Sequence, residues 1–122
     1  MSDVKRLQPA VISAHGTPPK QISEFIGLAS TGADGLSLAL MRSPARWSEP
    51  AQVTQFAETT VVIEGTVVLH LDDGESLTVV AGEAVTVPPG VRVRYETPDP
   101  AVYVSLCLPA FSPGRLIREH DA

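Results

Sequence analysis

Two glutamates, two tyrosines and one cysteine are the residues of this chain best suited to proton chemistry inside a folded domain: Glu49, Glu58, Tyr95, Tyr103 and Cys107. Two carboxyls in unlike surroundings can divide the work, one protonated and one ionised. A phenol can donate a hydrogen bond to a developing oxyanion. A lone thiol with no histidine in register with it reads as a small buried hydrophobe rather than a nucleophile. The three histidines are scattered. His15 falls in a proline-bounded loop and reads as solvated. His70 stands between Leu69 and Leu71 with the opposite strand parity, which predicts an outward or interface position. His120 lies near the end of the chain.

The elements that must position these residues are short strands. Residues 58–90 read ETTVVIEGTVVLHLDDGESLTVVAGEAVTVPPG. β-branched runs at 59–63, 66–71, 76–80 and 84–87 are separated by Glu64-Gly65, Asp72-Asp73-Gly74, Ala81-Gly82 and Pro88-Pro89-Gly90. Val, Ile and Thr suit a pleated, half-buried surface, and Gly, Asp and Pro punctuate it. Asp73-Gly74 between two apolar runs predicts a hairpin. The close, even rhythm predicts an all-β sandwich or barrel.

On either side the pattern continues. Residues 10–14 read as a short strand, and 21–29 fit either a helical turn or a strand. Residues 36–41 alternate, which predicts a strand with Leu36, Leu38 and Leu40 on a well-buried face. Gln52, Thr54 and Phe56 share one parity, and Val91, Val93 and Tyr95 alternate with outward Arg92 and Arg94. In the last strand, 101–108, Tyr103, Ser105 and Cys107 oppose Val102, Val104, Leu106 and Leu108, and both faces are apolar enough to be covered.

Composition bounds the function. A chain of 122 residues is one domain by length and can bury a core without staples. With 43% hydrophobic residues it is too apolar for disorder. A net charge of −5 argues against nucleic acid as a partner. One cysteine excludes an intrachain disulfide and fits a reducing compartment. No apolar run reaches the length of a membrane span, and the start, MSDVKRLQP, shows no secretory h-region. The expectation is a cytoplasmic protein with no membrane partner.

These residues also carry a family resemblance. Glu58, six residues, then Gly65 resembles the end of the first cupin motif. Gly82, five residues, then Pro88-Pro89-Gly90 resembles the second. The resemblance implies an all-β double-stranded β-helix, a jelly-roll cupin barrel, as a single domain: a barrel core at 36–109, an N-terminal arm at 1–35 and a C-terminal tail at 110–122. VVIEG, PPGVRVRYETP and the closing Leu108-Pro109-Ala110 are similar to the ethanolamine-utilisation protein Q-like group. Against its longer members this chain reads as a short, free-standing cupin, and no role in an ethanolamine pathway follows. The usual cupin metal site takes three imidazoles and a glutamate. In register, Gln52, Thr54 and Val93 stand where the imidazoles would be, and Glu58 alone remains. The expectation is no metal and no cofactor; a register shift recruiting Glu49 or His70 is the alternative.

The implied barrel turns Glu58, Glu49, Tyr95 and Tyr103 inward as catalytic candidates, with Trp47, Gln52, Thr54 and Cys107 as ligand-binding candidates. Glu58 would act as acid or base, assisted by Glu49 or a tyrosine, because an apolar wall raises the pKa of a carboxyl. The alternative is that Glu58 only hydrogen-bonds Gln52 and Thr54 in a satisfied polar cluster. Three functions stay open: a metal-independent isomerase, lyase or dehydratase acting on a small polar or carbonyl metabolite; a non-catalytic small-molecule binder; and a metal-dependent cupin with an atypical ligand set. A homodimer is expected, because strand edges around Val11-Ile12 and the apolar face of the last strand need cover.

Overall fold

A computed structural model describes residues 3–14 and 16–119, so the loop reading of His15 and the tail residue His120 lie outside the described residues. The described residues form twelve strands: β1 (Ala10–Ala14), β2 (Lys20–Ile26), β3 (Ser37–Ser43), β4 (Trp47–Ser48), β5 (Gln52–Thr54), β6 (Ala57–Glu64), β7 (Thr66–Leu71), β8 (Ser76–Val80), β9 (Ala84–Val87), β10 (Val93–Thr97), β11 (Ala101–Leu108) and β12 (Leu116–Arg118). One short 3-10 turn, Pro113–Arg115, precedes β12.

Two antiparallel sheets face each other. The first has the order β1-β2-β3-β11-β6-β9, and the second β12-β5-β10-β7-β8, with β4 also on β10. The punctuation read from the sequence marks where the chain turns or changes sheet. Asp73-Gly74 closes the β7–β8 hairpin, with Thr66 opposite Val80 and His70 opposite Ser76. Gly65 carries the chain from β6 in the first sheet to β7 in the second. Its φ is +79°, and a Cβ there would lie 2.4 Å from the Pro100 carbonyl oxygen, so only glycine fits the crossing. This two-sheet, sheet-switching arrangement is the jelly-roll β-barrel expected.

The arm and the tail are not appendages to the barrel. β1 and β2 extend the first sheet, with Ile22 opposite Met41 of β3. In the tail, β12 pairs with β5, placing Arg118 opposite Gln52. Of the stretch at 21–29, residues 21–26 form strand because their backbone groups find the open edge of β3, and 27–29 turn away from it.

The barrel interior divides into a filled half and a hollow half. Trp47, Val62, Val67, Leu69, Val79, Val87 and Val93 pack into the filled half, each 5% exposed or less. Burying a side chain of this size contributes about 1.5–3 kcal/mol. Tyr95 and Tyr103 stand at the boundary, part of this core and of the cavity beyond it.

Two face assignments differ from the sequence reading. In β3 the inward set is Ser37, Ala39, Met41 and Ser43, while Leu38 and Leu40 are half-buried on the outer face. A hollow interior needs small side chains there, and the outer face is itself apolar, so alternation alone pointed to the wrong side. Val91 is 37% exposed, because β10 begins only at Val93.

Candidate functional site

The hollow half encloses a cavity of about 310 Å³. Its walls come from both sheets, the N-terminal hairpin and the C-terminal strand. Ile12, Ile22, Met41, Phe56 and Phe111 supply apolar surface; Phe56 and Phe111 meet edge to face with centroids 6.0 Å apart. The polar groups are Lys20, Glu24, Glu49, Gln52, Glu58, Tyr95, Tyr103, Ser105, Cys107 and Arg118, joined by Ser13, Ser37 and Thr60.

Glu58 projects from β6 and is held by neighbouring strands. The Tyr95 phenol donates to Oε1 at 3.1 Å, the Ser105 hydroxyl to Oε2 at 2.6 Å, and the Cys107 thiol approaches Oε2 at 3.8 Å. These are the alternating inward residues of β10 and β11. Cys107 sits directly opposite Glu58 in the β6–β11 ladder. Burial, reinforced by the Glu58 charge, pushes the Cys107 thiol up to about 12 and raises the Tyr95 phenol well above its usual range. Both remain protonated donors at neutral pH. The satisfied cluster around Glu58 therefore consists of Tyr95, Ser105 and Cys107, not Gln52 and Thr54.

Lys20 was not anticipated from the sequence. It is 9% exposed, and its Nζ donates to the Tyr103 hydroxyl at 3.1 Å, which in turn lies 2.9 Å from Ser43 Oγ. The ammonium also sits over the Trp47 ring, 4.3 Å from its centroid, and 5.4 Å from that of Tyr103. Burial works to lower the Lys20 pKa, but Tyr103, Glu49 and Glu58 outweigh it and hold the pKa above its usual value. Lys20 is a fixed cation, unsuited to imine formation or to service as a base at neutral pH.

Glu49 follows the short strand β4 and is 7% exposed. Burial pushes its carboxyl up to about 7, and the nearby Glu58 charge reinforces this, while Lys20 and Arg118 act against it. Among the described residues no side chain or backbone amide donates to its carboxyl. It is a buried acid at the edge of ionisation.

The remaining candidates fall as follows. Gln52 lines the cavity, opposite Arg118. Thr54 is buried but does not line it: its hydroxyl donates to the Phe56 carbonyl at 2.7 Å across the β5–β6 bend. Alternation puts Thr54 on the same face as Gln52, but the bend diverts its side chain to the backbone. Trp47 is fully buried behind Lys20 as a core residue and forms the floor on which the ammonium rests. His70 points to the outside, between Ser76 at 2.9 Å and Glu96 at 2.8 Å.

Among the described residues, the donor set of the cavity does not fit a tightly held transition metal. Val93 is packed in the core, the Thr54 hydroxyl is committed, and the Lys20 ammonium shares the cavity and would repel a dication. Among the described residues, no three His, Cys, Asp or Glu converge as a metal site.

The fold and the motif spacing define a cupin, and the comparisons agree. The family model described as "Cupin domain" matches residues 39–107, and the chain belongs to that family. It resembles EutQ of Clostridium difficile, with TM-score 0.65 and 21% identity over 75% of this chain and 64% of that one. It also resembles the polyketide cyclase RemF of Streptomyces resistomycificus, with TM-score 0.76 and 20% identity over 100% of this chain and 87% of that one. A curated protein of Myxococcus xanthus called Endoribonuclease YbeY is 41% identical over 96 residues, covering 77% of this chain. The match spans only 32% of that relative's length. Among the described residues, no helix is long and apolar enough to cross a membrane.

Proposed function

We propose that this cupin is a metal-independent acid–base enzyme acting on a small carbonyl compound, of the isomerase, lyase or dehydratase type. The observation that carries the reading is Glu49: a buried carboxyl with a pKa near neutrality, with no hydrogen-bond donor among the described residues, in a cavity it shares with the Lys20 ammonium. A base is most effective when its pKa lies near the working pH. The substrate carbonyl oxygen would rest against Lys20 Nζ and the Tyr103 hydroxyl. Glu49 then takes the proton from the adjacent carbon, and the enolate oxygen gains its charge facing the ammonium. Glu49 returns the proton to a neighbouring carbon or to a departing β-hydroxyl group, which leaves as water.

Glu58, first in line on sequence grounds, serves in this scheme as the anchored carboxylate that orients Tyr95 and Ser105. Similarity to a polyketide cyclase fold is consistent with chemistry in this cavity but does not specify the reaction. No RNA-cleaving role is proposed, because the net charge of −5 offers phosphates little attraction.

The test is proton exchange in D2O, followed by NMR on a panel of small ketones and hydroxyketones with EDTA present. Exchange that survives EDTA and falls by about two to four orders of magnitude in Glu49→Gln supports the reading. Exchange abolished by EDTA and restored by Mn or Zn would overturn metal independence. Undiminished exchange in Glu49→Gln would remove Glu49 from the mechanism.

A further inference from the structure

The cavity holds a second cation that the acid–base scheme leaves unused. Arg118, in β12, stands directly opposite Gln52 of β5, and both side chains line the cavity. The Arg118 Nε is buried and has no hydrogen-bond acceptor among the described residues. A buried donor of a charged group left without a partner is costly. Glu119, the next residue, already serves Arg92 on the outer surface. Glu49 feels both Lys20 and Arg118, so the acid lies within electrostatic range of two donor stations: Lys20 with Tyr103, and Arg118 with Gln52.

We infer that the substrate is a small organic acid bearing both a carbonyl or hydroxyl group and a carboxylate, with the carboxylate held by Arg118 and Gln52 while the carbonyl oxygen faces Lys20 and Tyr103. This rests on the acid–base reading for the Lys20–Tyr103 station only. A guanidinium fork matches a carboxylate in geometry as well as charge. Gln52 adds a neutral donor without adding charge. The cavity of about 310 Å³ and its walls of Phe56, Phe111 and Met41 admit an apolar body of several carbons beside the two polar ends.

The experiment is calorimetric titration of the full chain with 2-oxohexanoate, 5-oxohexanoate and 2-hydroxyhexanoate, each compared with its amide. At least one acid should bind ten-fold or more tightly than its amide, and Arg118→Gln should reduce that ratio to about one. Lys20→Met should weaken an acid and its amide alike, because both carry the oxygen that Lys20 meets. Amides that bind as well as the acids, no binding of any acid, or an unchanged ratio in a folded Arg118→Gln would each overturn the inference. If Arg118→Gln fails to fold, the acid-to-amide ratio of the unaltered protein decides alone. Binding is read without turnover. A cavity that prefers acids but exchanges no proton would uphold this inference and remove the acid–base reading. Exchange on neutral ketones with no preference for acids would do the reverse.

Discussion

Replacing Glu49 with glutamine should change how stability depends on pH. In the unfolded chain this carboxyl titrates at its usual 4.5, whereas burial in the folded protein raises it to about 7. Below pH 4.5 both states hold the proton and Glu49 costs nothing. Between 4.5 and 7 the unfolded chain has released a proton that the folded protein still holds, so folding stability falls as pH rises. Above 7 the folded protein carries a buried charge and the penalty is complete. At 1.36 kcal/mol for each tenfold change in proton affinity, it reaches about 3 kcal/mol. Glutamine does not titrate. The stability of Glu49→Gln minus that of the unaltered protein should therefore climb by about 3 kcal/mol between pH 4.5 and pH 8. Other titrating groups are common to both proteins and largely cancel in the difference. Urea unfolding with a slope of about 1.5 kcal/mol/M would show this as a relative midpoint change of about 2 M. A difference that stays flat within about 0.5 kcal/mol across that range would refute the assignment of a neutral-range pKa to Glu49.

Three further outcomes follow from the same geometry. Lys20→Met removes the charge that holds the Glu49 pKa down, so the Glu49 titration should move to higher pH and turnover should fall about 100-fold or more through loss of oxyanion stabilisation, as steady-state rates on a substrate found by proton exchange would show. The Cys107 thiol, pushed up to about 12 and buried, should resist iodoacetamide at pH 8 in the native protein and react at once after unfolding, as mass spectrometry would show. The outer face of the first sheet presents exposed Val61 and Ile63 beside half-buried Leu38, Leu40 and Val104, and light scattering at micromolar concentration should give twice the monomer mass.

Much of the fold is legible in the sequence because its turns are written in residues with one conformational use. Gly65, Asp73-Gly74 and Pro88-Pro89-Gly90 delimit strands that the structure places within two residues of the expected bounds. The inward set of β11, Tyr103, Ser105 and Cys107, follows from simple alternation. What alternation does not carry is which face surrounds a cavity: in β3 the leucines lie outside and Ser37 and Ala39 inside, the reverse of a filled core. The cations of the site were illegible for a related reason. β2 reads KQISEFI, with Lys20, Ile22 and Glu24 on one face and Gln21, Ser23 and Phe25 on the other, so neither face is visibly a core. Its one signal is that two charged residues share a face with isoleucine in a strand-like run. Arg118 sits in a three-residue strand that exists only because β5 offers it an edge.

Acid–base chemistry in this cavity depends on a neutral-range acid, and the carboxyl carbon resonance of Glu49, labelled with 13C and assigned by comparison with Glu49→Gln, reports its titration. A neutral-range acid gives a single titration centred at about pH 7, displaced upward in Lys20→Met. A midpoint near 4.5, unmoved by the loss of Lys20, would contradict it and leave the cavity without its proposed base.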